Sequence, residues 1–184
     1  MRSLRQRSCA GFTLIELLVC VALLALLLSL AVPSFGSAML TNRLASYTNE
    51  FIGTAQFARS EAIKRNAQVT VCASTDGATC ASSATWAQGW IVMCPASTSN
   101  ANMCAASGTS NLVLQRRPAL ASDYHFTTDT GSYSLVFPAS GVGVNQLTMT
   151  LCRFSPQPGN QERRVTVTGT GRTAVVTAHT GACA

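Results

Sequence analysis

The chain has 184 residues, enough for one ordinary domain with an appendage. Only 11% of residues are charged and 47% are hydrophobic, which excludes an intrinsically disordered protein. The formal net charge of +6 is compatible with nucleic acid, a membrane surface or a targeting segment, and the eight cysteines point to an oxidising compartment. One long apolar run accounts for much of the positive mean hydropathy, which argues against a multi-span membrane protein.

Residues 1–11 carry Arg2, Arg5 and Arg7 and no acid. Residues 12–32 then form an uninterrupted 21-residue run, FTLIELLVCVALLALLLSLAV, whose one charged residue is Glu16. A helix of that length spans about 30 Å, the thickness of a bilayer core. Basic residues before it predict a cytoplasmic N-terminus, with the rest of the chain across the membrane. An ordinary signal peptide is the competing reading, with Gly36-Ser37-Ala38 as its cleavage site. Glu16 argues against it. A carboxylate inside an apolar segment costs about 2.5–3.5 kcal/mol and marks a functional residue with a specific partner. A discarded signal has no use for that cost.

The run Gly11-Phe12-Thr13-Leu14-Ile15-Glu16 resembles the class III signal of type IV prepilins and type II secretion pseudopilins. The resemblance implies cleavage between Gly11 and Phe12 by prepilin peptidase, N-methylation of Phe12, and retention of the apolar helix. It also implies that Glu16 pairs with the N-terminal amine of a neighbouring subunit during assembly. The alternative for Glu16 is a helix-end carboxylate that snorkels to the interface. Pro33 falls where that family often has a helix-kinking proline.

Residues 34–66 continue as an amphipathic helix, with Phe35, Met39, Leu44, Phe51, Ala55, Ala58 and Ala62 at three- and four-residue steps. From residue 67 the pattern changes to short runs rich in Val, Thr and Leu separated by Gly, Pro, Ser and Asn. Strands are predicted at 68–73, 89–94, 112–116, 133–137, 147–153, 164–168 and 173–178, with a polar loop at 96–111. Four units follow: a leader at 1–11, a transmembrane helix at 12–33, its amphipathic continuation at 34–66 and a periplasmic β-rich head at 67–184.

The segments Ala58-Arg59-Ser60-Glu61-Ala62-Ile63, Val69-Thr70-Val71-Cys72, Gly89-Trp90-Ile91-Val92, Phe137-Pro138-Ala139-Ser140-Gly141 and Gly171-Arg172 resemble the GspH/FimT family of minor pseudopilins and minor pilins. The implied fold is α+β and pilin-like: a long N-terminal helix, half transmembrane, packed on an antiparallel, sandwich-like β head. The implied function is a filament subunit of a type IV pilus or type II secretion pseudopilus that helps initiate or cap assembly. The implied partners are other major or minor pilins or pseudopilins, the peptidase and the inner membrane.

Cys9 and Cys20 lie in the leader and the apolar helix, and six cysteines remain in the head. Six allow 15 connectivities. Local spacing favours Cys72–Cys80, Cys94–Cys104 and Cys152–Cys183. A zinc site is the rival, but no Cys-x-x-Cys pair occurs and His125 and His179 are isolated, so no metal or cofactor is expected. No phosphate-binding glycine loop, His-Glu-x-x-His or Gly-x-Ser-x-Gly occurs, and the expectation is a structural protein rather than an enzyme. Trp86 and Trp90 are expected in the core.

Twelve of the 13 basic residues are arginines. Arg153, Arg163, Arg164 and Arg172 gather late in the chain, where paired strands could align them into a stripe for a phosphate backbone. Some FimT-type minor pilins bind double-stranded DNA through a Gly-Arg-x-Arg element, which makes DNA uptake the alternative function. Here the element reads Gly171-Arg172-Thr173-Ala174 and lacks the second arginine.

Overall fold

The structure, a computed structural model, describes residues 11–96, 104, 111–154, 162–178 and 183, without the side chains of residues 30–34. The chain opens with one helix, α1, at Leu14–Arg65. Its start is explained locally. The Thr13 hydroxyl accepts a hydrogen bond from the Glu16 backbone N–H at 3.3 Å, and Glu16 sits in the first turn, where the helix dipole favours negative charge. At the other end Asn66 adopts the left-handed conformation (φ 48°), and the Ala67 N–H bonds the Ala62 carbonyl at 3.1 Å. Asparagine tolerates that conformation better than most residues, so it stops the helix. Lys64 and Arg65 occupy the last turn, complementing its negative end.

Two compact units follow from the contacts, Met1–Met39 and Leu40–Ala184. The second unit takes in α1 from Leu40 onward, because that part of the helix buries its apolar stripe in the head core. In the first unit the apolar side chains from Phe12 to Leu28 are exposed. Among the described residues no helix is long and apolar enough to cross a membrane. The described side chains of the 12–32 run end at Ser29.

In the second unit Leu40, Leu44, Phe51, Ala55, Ala58 and Ala62 are buried and form one stripe of α1. Phe35 and Met39, expected in that stripe, are exposed at 71% and 56%. The buried stripe begins at Leu40 rather than at Phe35, because sequence periodicity does not show where helix packing starts.

Among the described residues, eight strands form two antiparallel four-stranded sheets. One contains β1 (Val69–Ala73), β2 (Trp90–Cys94), β3 (Leu112–Arg117) and β5 (Ser134–Phe137) in the order β3-β2-β1-β5. The other contains β4 (Tyr124–Thr128), β6 (Leu147–Arg153), β7 (Glu162–Val167) and β8 (Thr173–Ala178) in the order β4-β6-β7-β8. The α+β class, with a helix packed on antiparallel sheets, is therefore the observed architecture.

The sequence reading missed β4. Its Tyr124 and Phe126 are buried and alternate with half-buried His125 and Thr127, a period-2 pattern in a run, YHFTT, that lacks the Val and Leu marking the other strands. In β6 the same alternation buries Leu147, Met149 and Leu151 and leaves the threonines between them half-buried.

Aromatic rings join the layers. Phe51 of α1 packs edge-to-face on Trp86 at 5.5 Å, Trp90 at 5.7 Å and Phe126 at 5.3 Å. Both tryptophans are buried, and their indole N–H groups donate to the Ser132 carbonyl and the Thr54 hydroxyl. Gly89 lets the chain turn into β2 at φ 106°, where an added Cβ would sit 2.6 Å from the Arg117 carbonyl oxygen. All of β2 is buried because both faces are covered. Ile91 and Met93 form a second small cluster with Cys72, beside the loop that the Cys72–Cys80 disulfide closes.

Candidate functional site

At the N-terminus the structure brings the residues of the signal onto one helix start. Gly11, Phe12 and Thr13 precede α1, Phe12 is 82% exposed, and Glu16 is exposed on the first turn. Cys20 is an exposed free thiol. Pro33 falls within the range of α1, and its side chain lies outside the described residues. Periodicity did not reveal the Thr13 cap, although Thr13-x-x-Glu16 has the spacing of a capping box.

In the head the six cysteines are paired. Cys72 joins Cys80, Cys94 joins Cys104 and Cys152 joins Cys183, with Cα atoms 5.5, 5.3 and 5.8 Å apart. These separations suit disulfides. By strand register Cys152 and Ala178 lie on the same sheet face as Glu162, so the last bridge returns the chain after β8 toward a buried carboxylate. Among the described residues no cluster of three His, Cys, Asp or Glu could hold a metal ion. His125 stacks on Phe154 at 5.5 Å, while His179 lies outside the described residues.

The four late arginines do not form one stripe. Arg163 and Arg164 are neighbours in β7 and therefore point to opposite faces of the sheet. Arg164 reaches Asp129 at 3.2 Å, Arg153 pairs with Asp123 at 2.8 Å, and Arg163 donates to the Thr177 hydroxyl. Arg172 lies in the β7–β8 turn, at the opposite end of the sheet from Arg163. Period 2 separates adjacent residues onto two faces, so nearness in sequence did not become nearness on a surface.

Three other polar arrangements escaped the sequence reading. The Asp76 carboxylate accepts hydrogen bonds from the Ala78 and Thr79 backbone N–H groups and from the Ser74 and Thr79 hydroxyls, at 2.7–2.9 Å. These bonds, the Thr79 N–H foremost, hold its carboxyl well below the usual range. Glu61 is buried and lowered, chiefly by the hydrogen bond from Arg65 and also by Lys64. Arg59 runs against the glycine turns at Gly141 and Gly171, where added Cβ atoms would meet its side chain at 3.4 Å.

A fourth cluster lies where α1 enters the head. Tyr47 packs edge-to-face on Tyr124 at 5.1 Å, and the Arg153 guanidinium lies 6.0 Å from the Tyr124 ring centre. Burial pushes the Tyr124 hydroxyl up, while the nearby Arg153 and Arg43 charges oppose that shift.

Comparison with known proteins agrees with this architecture. The family model for type II transport protein GspH matches residues 47–171, and that for the prokaryotic N-terminal methylation motif matches residues 6–32. No curated protein matches the chain by sequence. Among solved structures it is similar to the type IV minor pilin FimU of Pseudomonas aeruginosa, at 20% identity and TM-score 0.55, over 78% of this chain and 96% of that one. It is also similar to the minor pseudopilin EpsH of the Vibrio cholerae type II secretion system, at 13% identity and TM-score 0.50, over 77% of this chain and 99% of that one. At these identities the likeness concerns the fold. The family match spans most of the chain, running from Tyr47 in α1 through β7, and the methylation motif lies on the first helix: the chain belongs to the GspH family, with a minor pilin or pseudopilin fold.

Proposed function

We propose that this chain is a membrane-anchored structural subunit of a type IV pilus or type II secretion pseudopilus, and that it helps to initiate or cap the filament. The observation that carries this reading is the run of exposed apolar side chains from Phe12 to Leu28, at and just before the start of α1, ahead of a separately packed, disulfide-linked head. Such a surface needs a cover. Lipid covers it before assembly and the helices of other subunits cover it afterwards. The run at 12–32 supports a single-pass anchor with the head in the periplasm.

Prepilin peptidase removes residues 1–11 in this scheme and methylates Phe12. The new amine then lies close in sequence to Glu16, on a helix start that Thr13 caps. In a low-dielectric setting, a carboxylate and a neighbouring subunit's amine attract strongly, which selects docking over random helix contact. The work is binding and assembly, with no reaction assigned to the chain.

The test replaces Glu16 with Ala in cells that express the cognate peptidase. Cleavage after Gly11 continues, the protein stays in the membrane, and recovery in sheared filaments falls at least about tenfold. Normal recovery would refute the pairing role. The DNA alternative gains no support from the arginine positions, since Arg153 and Arg164 are held by aspartates and Arg172 stands apart. A gel shift of the purified chain across a salt series checks it, since phosphate contacts weaken steeply as salt rises.

A further inference from the structure

We infer that the end of the head where α1 enters it is a docking surface for an anionic phospholipid bilayer. The inference rests on the proposed membrane anchoring and adds a second, electrostatic contact to it. Arg43 is exposed and makes no hydrogen bond or ion pair among the described residues. Arg153 lies over Tyr124, and Arg163 is on the same sheet face, since it pairs in register with Leu151, two residues before Arg153. Asp123 holds Arg153, so the charge free to meet an anionic surface is that of Arg43 and Arg163; Glu162, next to Arg163 in β7, is buried on the opposite sheet face.

Aromatic groups accompany them. Tyr47 packs edge-to-face on Tyr124, and Phe154, at the same end of the sheet but on its other face, is 60% exposed and stacked on His125. Its N–H donates to the Asp123 carbonyl at 2.8 Å, which fixes the exposed ring at this end. Guanidinium forks match phosphate oxygens, and aromatic rings favour the level of lipid headgroups. A sheet end with arginines on one face and an exposed phenylalanine on the other suits a broad bilayer, which meets both faces at once, better than duplex nucleic acid, which would use the arginines and leave the phenylalanine in water.

Continuity favours the same partner. The head begins at Leu40, Arg43 and Tyr47 lie within two helical turns of it, and the exposed apolar segment of α1 precedes it in the chain. At the other end of the head-bound helix, Lys64 and Arg65 both bond Glu61. Each arginine near an anionic surface is worth about a fivefold change in the binding equilibrium. The docked head would be held against the membrane until assembly withdraws it.

The experiment reconstitutes the full chain in nanodiscs of neutral lipid alone and of neutral lipid with about 30% anionic lipid, a composition chosen for adequate surface charge. Amide hydrogen exchange is followed at residues 121–126 and 152–154. Exchange should slow at least about fivefold in anionic discs, return to the neutral-disc rate at high salt, and lose most of that protection in Arg43→Gln/Arg163→Gln. Equal exchange in both discs, or protection unchanged in the variant, would overturn the inference. Failure to enter neutral discs would instead refute the anchoring itself. Stronger protection by duplex DNA than by anionic discs would overturn lipid docking in favour of nucleic acid.

Discussion

Phe51 tests whether α1 and the two sheets share one core. Its ring is fully buried and touches Trp86, Trp90 of the first sheet and Phe126 of the second. Truncation to Ala removes the ring's burial and leaves a cavity that three large, mutually braced rings cannot close, because Trp90 also packs on Phe126 at 6.1 Å. A buried Phe→Ala change costs about 3–5 kcal/mol, and the edge-to-face contacts place this site in the upper half of that range. For a chain of this size each kcal/mol lowers Tm by about 2–4 °C, so the expected fall is about 8–20 °C. Phe51→Leu keeps much of the volume and loses the ring contacts, and should fall by roughly a third to a half as much. The assay is thermal unfolding of the detergent-solubilised chain, followed by near-ultraviolet circular dichroism, which reads the packing of both tryptophans. A fall below about 3 °C for Phe51→Ala, with the near-ultraviolet signal intact, would refute the three-way junction.

Other consequences can be checked in the same preparation. Gly89→Ala forces a Cβ to 2.6 Å from a backbone oxygen at a positive φ, so a loss of at least about 2 kcal/mol is expected, read as a lower denaturant midpoint. The Cys152→Ser/Cys183→Ser pair opens a bridge of sequence separation 31, and chain entropy puts the loss at about 3–4 kcal/mol, measured by urea unfolding against the oxidised parent. Asp76 has a folded-state pKa below its unfolded value, so its contribution is present above the ordinary aspartate range and is lost as pH falls through the depressed folded value. Asp76→Asn should therefore flatten the acid limb of the stability–pH curve, and an unchanged limb would refute the role of its four hydrogen bonds.

The sequence by itself determined the features that short-range chemistry specifies. The basic leader, the Gly11-Phe12 junction, Glu16 and the apolar run are contiguous, and their meaning depends on order and composition. Three of the 13 basic residues lie in residues 1–11, and without that segment the side-chain balance is 10 basic against 7 acidic, so half of the +6 lies in those eleven residues. The strand-rich head and the core tryptophans were legible for the same reason: β-branched runs bounded by turn residues, and large apolar rings, have local signatures. Two of the cysteine pairs, Cys72–Cys80 and Cys94–Cys104, join positions only 8 and 10 residues apart, while Cys152–Cys183 spans 31 residues and two strands.

Tertiary structure decided what depends on pairing and cover. Period 2 says that Arg163 and Arg164 diverge, but only the register with β6 and β8 says what each one meets. The start of the buried stripe at Leu40, rather than at Phe35, depends on where the sheets begin to cover α1. β4, with no Val or Leu, did not stand out, and Phe126 became a core residue because β6 and Phe51 enclose it. The gathering of Arg43, Tyr47, Tyr124, Arg153 and Phe154 joins positions more than 70 residues apart in sequence, from separate elements. Local pattern carries chain direction and periodicity, while a surface is made by residues that only folding brings together.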